Sequence, residues 1–363
     1  MVEEKTRKAE GRRGVALIGC GGIAGIHLQA IAQEPRVRLI AVADMDAKRA
    51  QAAAEKYGAD EVHGTWGPIW RNAEIEAVDL CLPHHLHAPA AIAAMEAGKH
   101  VLVEKPIANT VAEAEAMIEA ARTHERILMV GHVKRFNRAA VTMQRAIAAG
   151  QIGEPFSFEA IWYGPREIMP GIPWVQKKAQ GGGGPLMGFG THHLDLLRWF
   201  FGEVAEVAAF TTRGVMRDAE VEDTAAVSLR FRSGAPGVSP GAPGVSPGVI
   251  GVLHFSWTRT VESFCEHLRV LGTTGEVVVT DGEAVTMASE TRFGDRELHA
   301  LDPAEEAGDL PEEAFAAQFA HFIDCIETGA TPLTDAASAR NTVAVIEAAY
   351  ESAESGRVVT VKY

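Results

Sequence analysis

Two short stretches of this 363-residue chain hold side chains that could do chemistry together. The first is Val101-Leu102-Val103-Glu104-Lys105-Pro106. Three aliphatic residues ending in a carboxylate, an ammonium and a proline read as a buried parallel strand that presents polar groups where pairing stops. Ligands of open α/β sheets bind beyond the carboxyl ends of the strands, so Lys105 is placed to meet one. Taken alone, the pair also suits an ordinary solvated Glu–Lys contact. The second stretch is the glycine loop 181–190 running into Thr191-His192-His193-Leu194-Asp195 and on to Gly202. Thr191 is expected to cap a helix that Gly202 ends. Leu194, Leu197 and Phe201 would form its core stripe, and His192 and Asp195, three apart, share a face. A histidine in the first helical turn is disfavoured in its charged form, and a neutral imidazole can accept a proton. A capping histidine on a surface helix fits the same local pattern. Beside a bound nicotinamide, such a lysine and histidine are what alcohol oxidation needs: a base for the hydroxyl proton and a cation for the developing alkoxide.

The elements that would position them begin with a nucleotide fingerprint. The apolar strand Val15 to Ile18 runs into Gly19-Cys20-Gly21-Gly22-Ile23-Ala24, and helical spacing continues from Ile26 to Ala32. This is G-x-G-x-x-A between a strand and a helix. Gly19 permits the tight turn, Gly21 lets backbone approach a pyrophosphate, the small Ala24 lets the helix pack on the strand, and with Gly22 and Ile23 they form the expected cofactor turn at the helix N-terminus. A second strand, Arg38 to Ala43, ends in Asp44, at the distance expected of an acid that bonds the adenosine ribose. Its charge would repel a 2′-phosphate, which favours NAD over NADP. Asp44 or Asp46 would also cap the helix from Ala47 to Tyr57, and both roles hold if Asp46 is the cap. The strand Val78 to Leu82 ends in Pro83, so Leu82 and Pro83 join the expected cofactor wall with Glu104 and Lys105. His84, His85 and His87 follow. No carboxylate or cysteine stands near them at ligand spacing, so no metal site is expected. His87 is placed near the cofactor at a helix entry, the other two in solvent. Helix 111–124 and strand Ile127 to Gly131 complete an alternating β/α pattern, a doubly wound parallel sheet.

After His132 the segments 156–163, 203–213, 223–232, 249–257 and 264–271 read as strands joined by turns, hence a large, mainly antiparallel sheet. Two helices, about 312–328 and 336–355, close the chain. The expected division is a charged, disordered tail at 1–13, a cofactor domain at 14–132 and a substrate and oligomerisation domain at 133–363. Within the last, Gly-Ala-Pro-Gly-Val-Ser-Pro occurs twice in tandem, and 234–248 reads as a flexible loop insertion. The composition, 47% hydrophobic and 23% charged, is that of a globular protein. A net charge of −14 argues against nucleic-acid and anionic-membrane partners. Four scattered cysteines without a CxxC pair, no apolar run of membrane length and no secretory signal suit the cytoplasm.

These segments resemble the glucose–fructose oxidoreductase / inositol dehydrogenase (Gfo/Idh/MocA) family. The resemblance rests on G-C-G-G-I-A at 19–24, E-K-P at 104–106, R-F-N at 135–137, G-Q-I-G at 150–153, G-G-G-P-L-M-G-F-G-T-H-H-L-D at 182–195 and the run from Phe319 to Gly356. It implies a Rossmann domain followed by an α/β domain with an open sheet, which often forms a homodimer or homotetramer. It also implies NAD(P)-linked oxidation of sugar or cyclitol hydroxyls. Lys105 resembles the family's active-site lysine, His192 its catalytic histidine, Glu104 a residue at the nicotinamide end and Asp195 one that touches substrate hydroxyls. Many members carry aspartate four residues before the histidine, where this chain has Gly188. Arg135, Tyr163, Arg166 and Trp174 are further candidates for substrate contact. The aromatic-rich stretch around them would suit a glycoside face. Two other activities of such a chain are weighed: an NAD-dependent glycosidase acting by transient oxidation, and a non-catalytic NAD- and sugar-binding regulator.

Overall fold

The computed structural model describes residues 11–165, 172–232, 248–260, 264–281 and 311–363, with the strand backbones at 284–290 and 296–300. The duplicated 234–247 stretch and Arg166 lie outside the described residues. The first half folds as β1 (Arg13–Ile18), α1 (Ala24–Gln33), β2 (Val37–Ala43), α2 (Ala47–Tyr57), β3 (Glu61–His63), α3 (Gly67–Arg71) and β4 (Ile75–Leu80). It continues through α4 (His87–Glu96), β5 (His100–Glu104), α5 (Val111–Thr123) and β6 (Leu128–Gly131). The six strands pair in parallel in the order β3-β2-β1-β4-β5-β6. β1 opens at Arg13, inside the expected tail, because the Arg13 N–H donates to the Arg36 carbonyl at 2.8 Å. Local chemistry sets the helix ends. Asp46 accepts from Lys48 N and Arg49 N at the start of α2, and Thr110 and Glu113 form a reciprocal capping box on α5.

The second half holds α6 (Arg138–Ala148), β7 (Pro155–Pro165), α7 (Thr191–Phe201), β8 (Val204–Thr212), β9 (Thr224–Phe231), β10 (Ile250–Arg259), β11 (Cys265–Gly272) and β12 (Gly275–Thr280). Strands β13 (Ala284–Glu290) and β14 (Arg296–Ala300), helices α8 (Pro311–Thr328) and α9 (Ala336–Ser355), and β15 (Val359–Thr360) complete it. The nine-stranded sheet runs β14-β13-β12-β11-β7-β10-β9-β8-β15. Only its β7–β10 pairing is parallel among those described. One face packs Phe158, Ala160, Trp162, Phe255 and Trp257 into a core shared with α6, α7 and α9. On the other face Ile250 and Val252 are about half exposed.

Two differences from the sequence reading have plain causes. Helix α6 interrupts what reads as strands and turns: Asn137 caps it through Ala139 N and Ala140 N, and Ala139, Ala140, Met143, Ala146 and Ile147 bury one stripe. The C-terminal helices do not stay with the second sheet alone. Phe315, Phe319, Phe322 and Ile323 of α8 share a core with Leu28 and Ile31 of α1, and Ala339 and Val343 of α9 pack against the first sheet. Among the described residues no helix is long and apolar enough to cross a membrane.

Candidate active site

The glycine turn after β1 is shaped for a dinucleotide. Gly19 has φ +93°, and a Cβ there would lie 2.3 Å from the Cys81 carbonyl oxygen, so only glycine fits. A Cβ on Gly21 or Gly22 would meet nothing within 4 Å, so open space lies against this backbone. Helix α1 starts there with no side-chain cap, leaving its N–H groups for an anion. Asp44 accepts from Cys20 N and from Asp46 N, each at 2.7 Å, which fixes its carboxylate at the end of β2. Leu82 and Pro83 stand at the end of β4 and are partly exposed. His87 is wholly buried. Its ring nitrogens lie 2.8 Å from the carbonyl oxygens of Leu82 and Pro106, so it braces the loop behind them. Burial lowers its pKa, and the neutral ring donates to one carbonyl at a time. His84, expected in solvent, is buried instead. It sits 2.9 Å from the Gly181 carbonyl and edge-on to Trp174, which binds the two halves of the chain here. His85 is half-buried.

Lys105 leaves the end of β5 and crosses to the second half, where its Nζ donates to the Gly188 carbonyl at 2.8 Å. The Phe189 ring lies 5.2 Å from the same ammonium and stacks on Trp162 at 3.8 Å. Lys105 is partly buried, and its desolvation lowers its pKa; Glu104 opposes that shift and Lys134 adds to it. Period-2 alternation on β7 decides which aromatic faces this site. Trp162 does, and Tyr163 turns to the other side of the sheet, against His254. Trp174 stands at the His84 contact.

The approach to His192 differs from expectation. Thr191 is not a cap. Residues Leu186–Gly190 form a π-helical turn that enters α7 in helical conformation, so Gly190 stands at φ −58°, ψ −29° and the Thr191 hydroxyl is buried without a partner. His192 therefore sits inside a continuous helical run, where no free N-terminal dipole acts on it. It is held neutral by burial first, then by the cations Lys105 and Lys134 and by His132 and His193. Its Nδ1 is enclosed with no partner among the described residues. Glu222 secures the loop before the turn by accepting from Gly184 N, Leu186 N and the Tyr350 hydroxyl.

Asp195 and Arg135 meet each other. Arg135 Nε and Nη2 donate to the two Asp195 oxygens at 2.7 Å each, and the guanidinium also donates to the Leu333 carbonyl and the Ser338 hydroxyl. This buried bidentate pair sits beside His132, whose ring centroid is 6.5 Å from that of His192. On the opposite side His193 Nε2 lies 2.9 Å from Glu266, which also pairs with Lys134. Sequence reasoning missed His132, Lys134, His193, Glu222 and Glu266, because each belongs to the site only through contacts between segments far apart in sequence. It also missed Asp79 and His27, although an aspartate inside the apolar strand Ile75–Leu80 is itself a signal.

Residues 13–132 match the profile of the oxidoreductase family with an NAD-binding Rossmann fold, and residues 140–278 match the Gfo/Idh/MocA C-terminal domain. The chain belongs to this family. It is an NAD-linked oxidoreductase with a six-stranded Rossmann sheet and a mixed, mostly antiparallel second sheet. Among its curated relatives is D-apiose dehydrogenase of Paraburkholderia graminis, 28% identical over 352 residues, which span 96% of this chain and 89% of the relative. Another is myo-inositol 2-dehydrogenase of Thermotoga maritima, 27% identical over 287 residues, or 78% of this chain and 79% of the relative. The fold is also that of a levoglucosan dehydrogenase solved with NADH, with TM-score 0.85, 24% identity and coverage of 97% of this chain and 99% of that one.

Proposed function

We propose that the protein oxidises a secondary hydroxyl of a sugar, sugar derivative or cyclitol, with His192 as general base and Lys105 as the orienting cation. The observation that carries this reading is the bond from Lys105 Nζ to the Gly188 carbonyl, 2.8 Å. It joins the strand-end ammonium of the cofactor domain to the turn that leads into His192. The glycine turn and Asp44 would hold NAD, which would supply the hydride acceptor. His192 takes the hydroxyl proton; with Nδ1 enclosed, Nε2 is the nitrogen left to do so. Lys105 orients the hydroxyl and stabilises the negative charge that grows on its oxygen as the C–H bond breaks. The electron pair of that bond leaves with the hydrogen, and the alcohol carbon becomes a carbonyl. Relatives acting on apiose and myo-inositol support a polyhydroxylated substrate. The Trp162–Phe189 stack beside Lys105 suits the apolar face of such a ring. With glycine at 188, the lysine's partner is a backbone carbonyl, and the substrate meets no side-chain carboxylate at this position. The half-exposed apolar residues on the open sheet face support a homodimer or homotetramer, and four free cysteines support a reducing cytoplasm.

The test is NADH absorbance with purified protein, NAD or NADP, and a panel of sugars, cyclitols and glycosides. A substrate-dependent rise with NAD is expected. Glycoside cleavage without net NADH would move the activity to transient oxidation, and binding of NAD and sugar with no turnover would make the chain a sensor.

A further inference from the structure

Behind Lys105 lies a buried charge cluster that the proposed chemistry does not use. His27 of α1 stands between two carboxylates: its Nδ1 is 2.8 Å from Asp79 Oδ2 on β4, and its Nε2 is 3.1 Å from Glu104 Oε1 at the end of β5. Glu104 Oε2 accepts from the Lys105 backbone N–H at 3.1 Å. His27 and Asp79 are 2% and 1% exposed. Phe315 of α8 closes the cluster edge-on to the His27 ring, 4.9 Å between centroids. Unlike the neutral carbonyls beside His87, both acceptors here are charged carboxylates, which favour a ring that donates from both nitrogens as an imidazolium. Burial alone would strip its proton; the Asp79 carboxylate reverses that and raises the His27 pKa well above the ordinary value. Burial would likewise raise Glu104, but His27 outweighs it and holds the carboxylate ionised.

We infer that the buried Asp79–His27 pair is a positioning device that fixes the charge and orientation of Glu104, and through it the protonation of Lys105. With His27 and Lys105 protonated, two cations balance two carboxylates. The cluster holds a proton and does not conduct one, since the Asp79 end stops against the buried Cys81, whose thiol burial pushes up to about 12. His27, Asp79 and Cys81 lie close enough to suggest metal ligands. The 2.8 Å nitrogen–oxygen contact and the second contact to Glu104 are instead those of charge-assisted hydrogen bonds. The other titratable groups facing Glu104 or Lys105 are His84 and His87 from the β4–α4 region, His132 and Lys134 after β6, and His192 on α7. The four histidines among them are lowered, so none takes over the imidazolium's part.

This inference rests on Lys105 acting as proposed, and its test is read separately. In protein with 15N-labelled histidine and no cofactor, the resonance lost in His27→Gln should report a doubly protonated ring well above pH 7. A neutral ring at pH 7 overturns the inference. In the pH profile of kcat/KM, His27→Gln removes one positive charge, so Glu104 ionises and Lys105 deprotonates at higher pH. Both limbs should move up, the alkaline one, set by Lys105, by about one unit and the acid one, which His192 shares with Glu104, by less. Adding Asp79→Asn restores the balance and should return the limbs to within a few tenths of a unit of wild type. A purely structural role predicts neither the shift nor the rescue. Limbs that do not move in His27→Gln, or that the double variant fails to restore, overturn the inference. If His27→Gln does not fold, a soluble double variant with wild-type limbs supports it and displaced limbs overturn it. Absent turnover in wild type, or full turnover in Lys105→Met, would remove the assignment of Lys105 and leave the ring's protonation as the measurement.

Discussion

Lys105 and Gly188 are 83 positions apart, and the ammonium of one donates to the carbonyl of the other at 2.8 Å. The lysine ends a strand of the cofactor sheet; the glycine sits in the π-helical turn that starts the His192 helix. One hydrogen bond thus ties the cation proposed to orient the hydroxyl to the turn that carries the proposed base. Replacing Lys105 with Met keeps most of the side chain's bulk and removes the charge. Turnover should fall by about 10²- to 10⁴-fold while NAD affinity changes little. Steady-state rates and titration of NAD binding check this. Undiminished kcat in the variant would end the role given to Lys105.

For His192 the pKa direction sets the pH dependence. Burial and the nearby Lys105 and Lys134 cations lower it, so the neutral, proton-accepting form persists below 6.5, the ordinary imidazole value. The working form is lost only as pH falls through the depressed pKa. kcat/KM should stay level from pH 8 down through 6.5 and drop further below. In His192→Gln the rate should fall about 10²- to 10⁴-fold. A wild-type acid limb centred at or above 6.5 would contradict a buried, neutral base.

Asp44 should decide the nucleotide. Its carboxylate, fixed by Cys20 N and Asp46 N, stands where a 2′-phosphate would bring a like charge. Asp44→Ala should raise the ratio of kcat/KM for NADP over that for NAD by about tenfold or more, since one unit of charge repulsion at short range is worth about 1 kcal/mol or more. Paired assays with both nucleotides read it directly, and an unchanged ratio would separate Asp44 from cofactor choice.

The cofactor half was legible because its signals are local. G-x-G-x-x-A, the apolar strands, the Asp46 cap and the Thr110–Glu113 box each lie within a few residues of what they determine. Lys105 and His192 were legible as candidates for the same reason. Their surroundings were not. The run of glycines before Leu186 carries no periodicity, so nothing in it announces a π-helical turn that displaces the expected Thr191 cap. Trp162 and Tyr163 are neighbours in sequence, and only the register of β7 decides which one faces the site. His27 and Asp79 are 52 residues apart, one on a helix and one on a strand of the cofactor half, and their bond exists only in the folded chain.

The Arg135–Asp195 pair gives the last prediction, one that separates support from contact. Both residues are almost wholly buried, and the carboxylate receives two guanidinium N–H bonds at 2.7 Å. Arg135 also ties down Leu333 and Ser338 at the entry to α9. Asp195→Ala would leave a buried guanidinium uncompensated, at a cost of about 3–5 kcal/mol. Denaturant unfolding should show that loss as a lower midpoint. If the pair is support, KM for the substrate should change little in whatever fraction stays folded, while kcat falls because His192, one turn away on the same helix, loses its fixed position. A raised KM with unaltered stability would instead make Asp195 a residue that binds the substrate's hydroxyls directly.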